Sequence, residues 1–250
     1  IATKPLGLLS QTLIAGYFGA SGNFDAYNFA LFLVTFLGLT VSRVFSTVAI
    51  PLILKEKKCL SQDHLAGYQN FLITIFFLPV LALLVWLIFY GEVAVSIVGA
   101  KLPLETQASA YRFVRLMAVP AILMSFVSIL NPILNLNKRY RVPASLPAIH
   151  VLCIIFSVLV FHGRLDVFSL AVGFALSYSI QTPLILFQGF RTGSLKFVPF
   201  YIPRGTISIL AGLSWMIVLT QTVLMFNTFV DKWFATGLEA GSISSLTYSM

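Results

Sequence analysis

Charged side chains inside otherwise uncharged, apolar stretches are the residues of this sequence with chemistry to offer. Arg43 is the clearest. It lies twelve residues before Lys55, about 18 Å along a helix at 1.5 Å per residue. If a membrane boundary falls near Leu52, Arg43 stands more than ~10 Å deep. A charge there costs ~2.5–3.5 kcal/mol on insertion scales. It is tolerated where the side chain lines a cavity or snorkels part of the way to water. Lys4 opens the first apolar stretch, and its ordinary use is to mark the end of that stretch. Arg112 and Arg115 are three apart, hence on one helix face, and interfacial anchoring accounts for them. Asp25 closes the turn between the first two stretches, as a loop carboxylate or as the partner of a basic group at an outer gate. No stretch carries a central Asp or Glu. A cation exporter would be expected to hold a buried carboxylate. A basic hollow suits an anion such as a pyrophosphate, which arginine can grip bidentately.

Other chemistries find little support. The eight acidic residues are scattered from Asp25 to Glu239, without the pairing that an enzyme acting on polyprenyl phosphates would need. His150 and His162 stand alone, and Cys59 and Cys153 form neither a metal-ligand spacing nor a disulfide framework. The sequence therefore predicts no metal and no cofactor. Asn131, Asn135 and Asn137 crowd the end of one apolar stretch, and Gln11, Gln181, Gln221 and Asn227 lie within others. Interhelical hydrogen bonds, averaging ~0.6 kcal/mol, are their ordinary use.

The elements that position these groups follow from composition. Of 250 residues, 58% are hydrophobic and 10% charged, against roughly 45–50% and 25% in soluble domains. Mean hydropathy is +0.94. Seven stretches reach the ~20 residues that cross a hydrocarbon core: 5–24, 26–54 (interrupted by Arg43), 65–91, 116–137, 142–163, 167–190 and 205–230. An eighth begins after Gly241. Backbone polar groups in lipid must be satisfied within the segment, and runs such as "FLITIFFLPVLALLVWLIFY" do not alternate as barrel strands do. The fold class is an all-α membrane protein, a multi-span helical bundle. Pro79, Pro120, Pro132, Pro147 and Pro183 are expected to kink spans, for packing or for rocking motion.

Lys55, Lys57 and Lys58 follow the second span, Lys138, Arg139 and Arg141 the fourth, and Arg191, Lys196 and Arg204 the sixth. The other connections are poorer in basic residues, with none at "SGNFD", Lys101 at "GEVAVSIVGAKLPLETQ" and Arg164 at "HGRLD". By the positive-inside rule the basic loops face the cytoplasm, with the N-terminus beside Lys4 on the same side. The net charge of +8 is thus topogenic, with attraction to anionic membrane lipids, and calls for no nucleic acid. Ile1 stands inside an element, which reads as a fragment of a longer protein. "SQT" at Ser10–Thr12 returns as "TQT" at Thr220–Thr222, a faint echo of a repeated lobe.

Several segments resemble the MurJ/MviN family of lipid II flippases, within the multidrug/oligosaccharidyl-lipid/polysaccharide exporter superfamily. They are "GLLSQTLIAGYFGASGNFDAYNFA" near the start, "RLMAVP" (Arg115–Pro120), "VGFALSYSIQTP" (Val172–Pro183), "NTFVDKWFATGLEAGSISSLTY" (Asn227–Tyr248) and, most specific, "ILNLNKRYRVPASLPAI" (Ile133–Ile149). The resemblance implies a fourteen-span protein of two six-helix lobes and two extra helices, in the bacterial inner membrane. This chain would supply a MATE-like first lobe (1–190), a linker (191–206) and the start of the second lobe (207–250). It also implies flipping of a polyprenyl-pyrophosphate-linked glycan, lipid II, by alternating access, with no catalysis. Lys4, Arg43 and Arg115 would bind substrate and Asp25 would gate. The family's two first-span arginines fall on Lys4 and Ser10, and its second-span pair near Leu37–Gly38, one turn before Arg43. Those departures keep open a flippase for another polyprenyl-linked glycan, or a relative that does not transport.

Overall fold

The computed structural model of the chain describes residues 3–235 and Ser245. Among these, every regular element is helical: α1 (Thr3–Phe18), α2 (Gly22–Val44), a π-helical turn (Phe45–Ala49) running into α3 (Ile50–Glu56), α4 (Gln62–Val98), α5 (Leu104–Leu136), α6 (Arg141–Leu165), α7 (Phe168–Arg191) and α8 (Thr206–Ala235). Five helical spans are long and apolar enough to cross a membrane, from Gly22–Glu56 to Phe168–Arg191. Helices α1 and α8 account for the other two of the seven stretches. The eighth, after Gly241, lies outside the described residues.

Three boundaries differ from the sequence reading, each for a local reason. The first span stops at Phe18, because Gly19 adopts φ +56° and Ser21 caps α2, its hydroxyl accepting from the Phe24 N–H at 3.3 Å. Asp25 is therefore in the first turn of α2 rather than in a loop. The third span continues past Gly91 to Val98 after a break at Tyr90 (φ −119°, ψ 22°). Gly91, Ala94 and Val95 keep a buried face there, with Gly91 against Val114 and Tyr111. The fourth span begins at Leu104, well before Leu116, since Ala110, Phe113 and Val114 extend its core face outward.

The π turn also has a cause in the sequence. Pro51 has no N–H, and its ring would clash with the carbonyl four residues back, at Thr47. The chain widens just before it, and the Ile50 N–H reaches the Phe45 carbonyl instead. Hydroxyls help with the displaced carbonyls: Ser46 and Thr47 donate to the Ser42 and Arg43 carbonyls, both at 2.8 Å.

Helix α5 is the hub, packing on α2, α4 and α7, while α6 packs on α7 and α1 on α6. Helices α2 and α5 run in the same direction, with partners 86 or 87 residues apart along the whole contact. Tyr27 meets Phe113 edge-on at 5.7 Å, Gly38 faces Ser125, and the Ser42 hydroxyl donates to the Ser128 carbonyl at 3.2 Å. Two apolar clusters fill the bundle. One joins Phe24, Phe29, Leu84, Phe113 and Phe174. The other joins Phe45, Ile53, Leu72, Ile133 and Ile185.

The three basic connections gather at one end. Lys196 Nζ pairs with Asp63 at 3.0 Å, and Lys57, Asn137 and Thr192, one from each connection, line a common cleft. At the opposite end Tyr17 meets His162 at 4.5 Å, Phe113 stacks on Phe168 at 4.4 Å, and Lys101 lies over the Phe234 ring at 5.5 Å. The helices thus alternate in direction and segregate the basic loops to one end, as the charge pattern predicts.

Candidate functional site: a polar groove beside Arg43

In apolar helices a polar stripe stands out by spacing. Ser42 and Ser46 are four apart on α2 and its π turn. Ser128, Asn131 and Asn135 are three and four apart on α5. The parallel packing of the two elements brings the stripes face to face, and they line a groove of about 470 Å³ floored by Ile50, Pro132 and Leu136. Asn135 donates to the Asn131 amide oxygen at 3.1 Å, which fixes one wall. The sequence pointed to the asparagines but not to the serines, whose four-residue repeat was the available signal.

Arg43 follows Ser42 directly on α2. It precedes Ser46 by three residues, which places the two side by side on the helix, and it is exposed rather than packed in the core. With partners offset by 86 residues, Arg43 is level with Ile129, seven residues above Leu136, or ~10 Å inside the basic end of α5. A groove of five hydroxyl and amide groups, with an exposed arginine adjoining it on α2, suits an anion with hydrogen-bonding substituents.

Helix register sets the level of Lys4. Tyr17 on α1 contacts His162 on α6, and both helices run away from the basic end. Thirteen residues back, Lys4 is level with Ile149, eight residues beyond Arg141 and ~12 Å inside the basic end. Lys4 and Arg43 are thus at similar depth. Both side chains are exposed, on helices that pack mainly on different partners, α1 on α6 and α2 on α5.

The other two residues are elsewhere. Asp25 is 4% exposed at the N-terminus of α2, where the helix dipole favours a carboxylate. It sits among the aromatic contacts of the opposite end, where Phe24 stacks on Phe18 and Tyr27. Arg115 is near the same end, two residues beyond Phe113. Ser128 and Asn131 follow it by 13 and 16 residues, which turns them about 140–160° around α5. Arg115, with Arg112, is therefore away from the groove, and Arg43 adjoins it only along α2.

The lone histidines have structural surroundings. His150 shares a 2.9 Å hydrogen bond with Ser177 between α6 and α7, and His162 packs between Tyr17 and Phe18. Among the described residues no three metal-ligating side chains come together.

Comparison with known proteins gives this arrangement a context. The sequence model of the family described as "Lipid II flippase MurJ" matches residues 14–250. A lipid II flippase MurJ from Thermosipho africanus (strain TCF52B) is 32% identical over 155 residues, 61% of this chain and 32% of that protein. A solved structure of lipid II flippase MurJ in an inward closed conformation superposes with a TM-score of 0.81 at 25% identity, covering 99% of this chain and 51% of the other. The chain spans about half the length of that structure and a third of the curated relative. A helical bundle with the same fold, matched by the family's sequence model over nearly its whole length, belongs to the MurJ family of lipid II flippases.

Proposed function

We propose that the chain forms the first lobe, and the opening of the second, of a bacterial inner-membrane flippase that carries lipid II between leaflets by alternating access. The observation that carries this reading is the serine–asparagine groove between α2 and α5, with the exposed Arg43 next to Ser42 in the chain. Arg43 takes the pyrophosphate bidentately, and Ser42, Ser46, Ser128, Asn131 and Asn135 offer hydrogen bonds to the glycan. Lys4 adds a second positive charge at the same depth. The polyprenyl tail stays in the bilayer, and no covalent step is needed. In this reading the basic end faces the cytoplasm, residues 1–190 are the lobe, 191–206 the linker, and 207–250 the start of the second lobe. Asp25 closes the far end, and Arg115 with Arg112 anchors the far interface. The break at Tyr90 and the π turn are the joints about which the lobe deforms.

The test is complementation of a flippase-depleted strain by the full-length protein. Wild type should restore growth, and Arg43→Ala, at equal protein level, should not. Full growth with Arg43→Ala removes the proposed role. One observation favours a second reading, a flippase for another polyprenyl-linked glycan. At Gly38 an added Cβ would stand 2.6 Å from both Met124 Cε and Ser125 Oγ, so α2 lies close against α5 where the family's second-span pair falls, and a side chain there would have to displace both. Rescue of an exopolysaccharide-export mutant, but not of the lipid II strain, would decide for it.

A further inference from the structure

We propose that the segment joining α7 to α8 builds a binding site for an anionic phospholipid resident at the basic end of the bundle. The segment is extended and apolar, yet firmly seated. Asn70 of α4 donates to the carbonyls of Lys196 and Val198 at 2.9 and 3.2 Å. Gly67, one turn earlier, lets the strand lie on the helix, because any Cβ there would strike the Pro199 carbonyl oxygen. His64 stacks on Tyr201 at 4.4 Å. Two large side chains nonetheless point outward: Phe197 is 93% exposed and Phe200 60%. In a membrane protein such aromatics meet the acyl and headgroup boundary.

Beneath the segment lie two cavities of opposite character. An apolar groove of about 480 Å³ runs between α4, α5 and α7, with Ile73, Phe126, Leu130 and Leu186 in its walls and Phe197 at its mouth. A polar cleft of about 340 Å³ opens among the basic connections, with Lys57, Gln69, Asn137 and Thr192. Lys196 lines both. An acyl slot and a cationic cleft sharing one ammonium group form a site for an amphiphile with a phosphate at its neck. Charge complementarity fixes the sign of the headgroup. Lys196 is engaged by Asp63, but that pair is 37% and 75% exposed, and such pairs are weak enough for a phosphate diester to displace. The groove is on the other side of α5 from Ser128 and Asn131, so its occupant is a structural lipid and not the cargo.

The test is native mass spectrometry of the purified full-length protein with added phosphatidylglycerol or phosphatidylcholine of identical chains. Wild type should retain phosphatidylglycerol preferentially. Lys57→Gln and Lys196→Gln should each cut that preference about fivefold. Lys58→Gln, which removes the same charge from the same connection without touching the cleft, should leave it intact. Phe197→Ala, at a 93% exposed position, should weaken retention of both lipids. Equal retention of the two lipids by wild type overturns the proposal. So does a Lys58→Gln loss as large as that of Lys57→Gln or Lys196→Gln, which would mean diffuse surface attraction. Lipid II binding, measured in the same spectra, belongs to the Arg43 groove and passes or fails separately.

Discussion

Arg43 allows a graded experiment. A charge-assisted hydrogen bond contributes about 1.5–3 kcal/mol. The groove is open and the guanidinium exposed, so the lower figure applies, and a two-pronged grip on a pyrophosphate is worth about 3 kcal/mol. Arg43→Ala or Arg43→Gln should then weaken lipid II binding roughly 100-fold. Arg43→Lys keeps the charge but not the planar fork, and should lose about half the energy, roughly tenfold in affinity. Titration of the purified full-length protein with lipid II, followed by intrinsic fluorescence, gives the series Arg, then Lys, then Gln and Ala together. Because Arg43 is not in either apolar cluster, the thermal midpoint should hardly move, and a fall in midpoint that tracks the affinity would assign the effect to folding. Unchanged affinity in all the variants refutes the reasoning. So would equal losses for Lys and Ala, which would leave no role for charge at that depth.

Three further outcomes are expected. Cys59 is exposed in the connection between α3 and α4, and Cys153 is buried, so in intact cells a permeant thiol reagent should label Cys59 and an impermeant one should not; labelling by the impermeant reagent, lost in Cys59→Ser, inverts the topology. (A cysteine at Ser194 would be less informative, since that position is 5% exposed.) Gly38→Leu should force α2 off α5, costing about 1–3 kcal/mol or more by overpacking, with a lower thermal midpoint than Gly38→Ala; equal midpoints would deny the close approach. Asn70→Ala should release the segment from Leu195 to Pro203 at a cost of about 1–3 kcal/mol, read as faster amide exchange there and faster tryptic cleavage at Lys196; unchanged exchange would show that Asn70 does not hold it.

The spans and their alternation were legible in the sequence because an apolar run of that length has to be covered by lipid, and lysine and arginine collect on one side of it. The facing of each helix was not. Lipid and protein core are both apolar, so a membrane helix carries little of the amphipathic contrast that marks the buried side of a soluble one. That is why the sequence does not show that Arg115 lies on the opposite face of α5 from Ser128 and Asn131. It is also why Ser42 and Ser46 passed unremarked until Ser128 faced them. Asp25 reads as a loop residue because glycine and serine at 19–22 spread the signal of the turn over several positions. The continuation of α4 through Glu92 was hidden by that single charge, although Gly91, Ala94 and Val95 repeat at helical spacing.

The wide turn ahead of Pro51 has a consequence for insertions and deletions. Phe45, Ala49 and Ile53 are all buried at four-residue intervals, a spacing that in a regular helix drifts about 40° per step. The looser winding absorbs that drift and keeps one greasy edge aligned as far as the lysine cluster. Elsewhere in the span, losing a single residue would rotate everything downstream by about 100°. Here the coil has slack to give up, so the second crossing can lose one residue at this turn and still present the same edge to its neighbours.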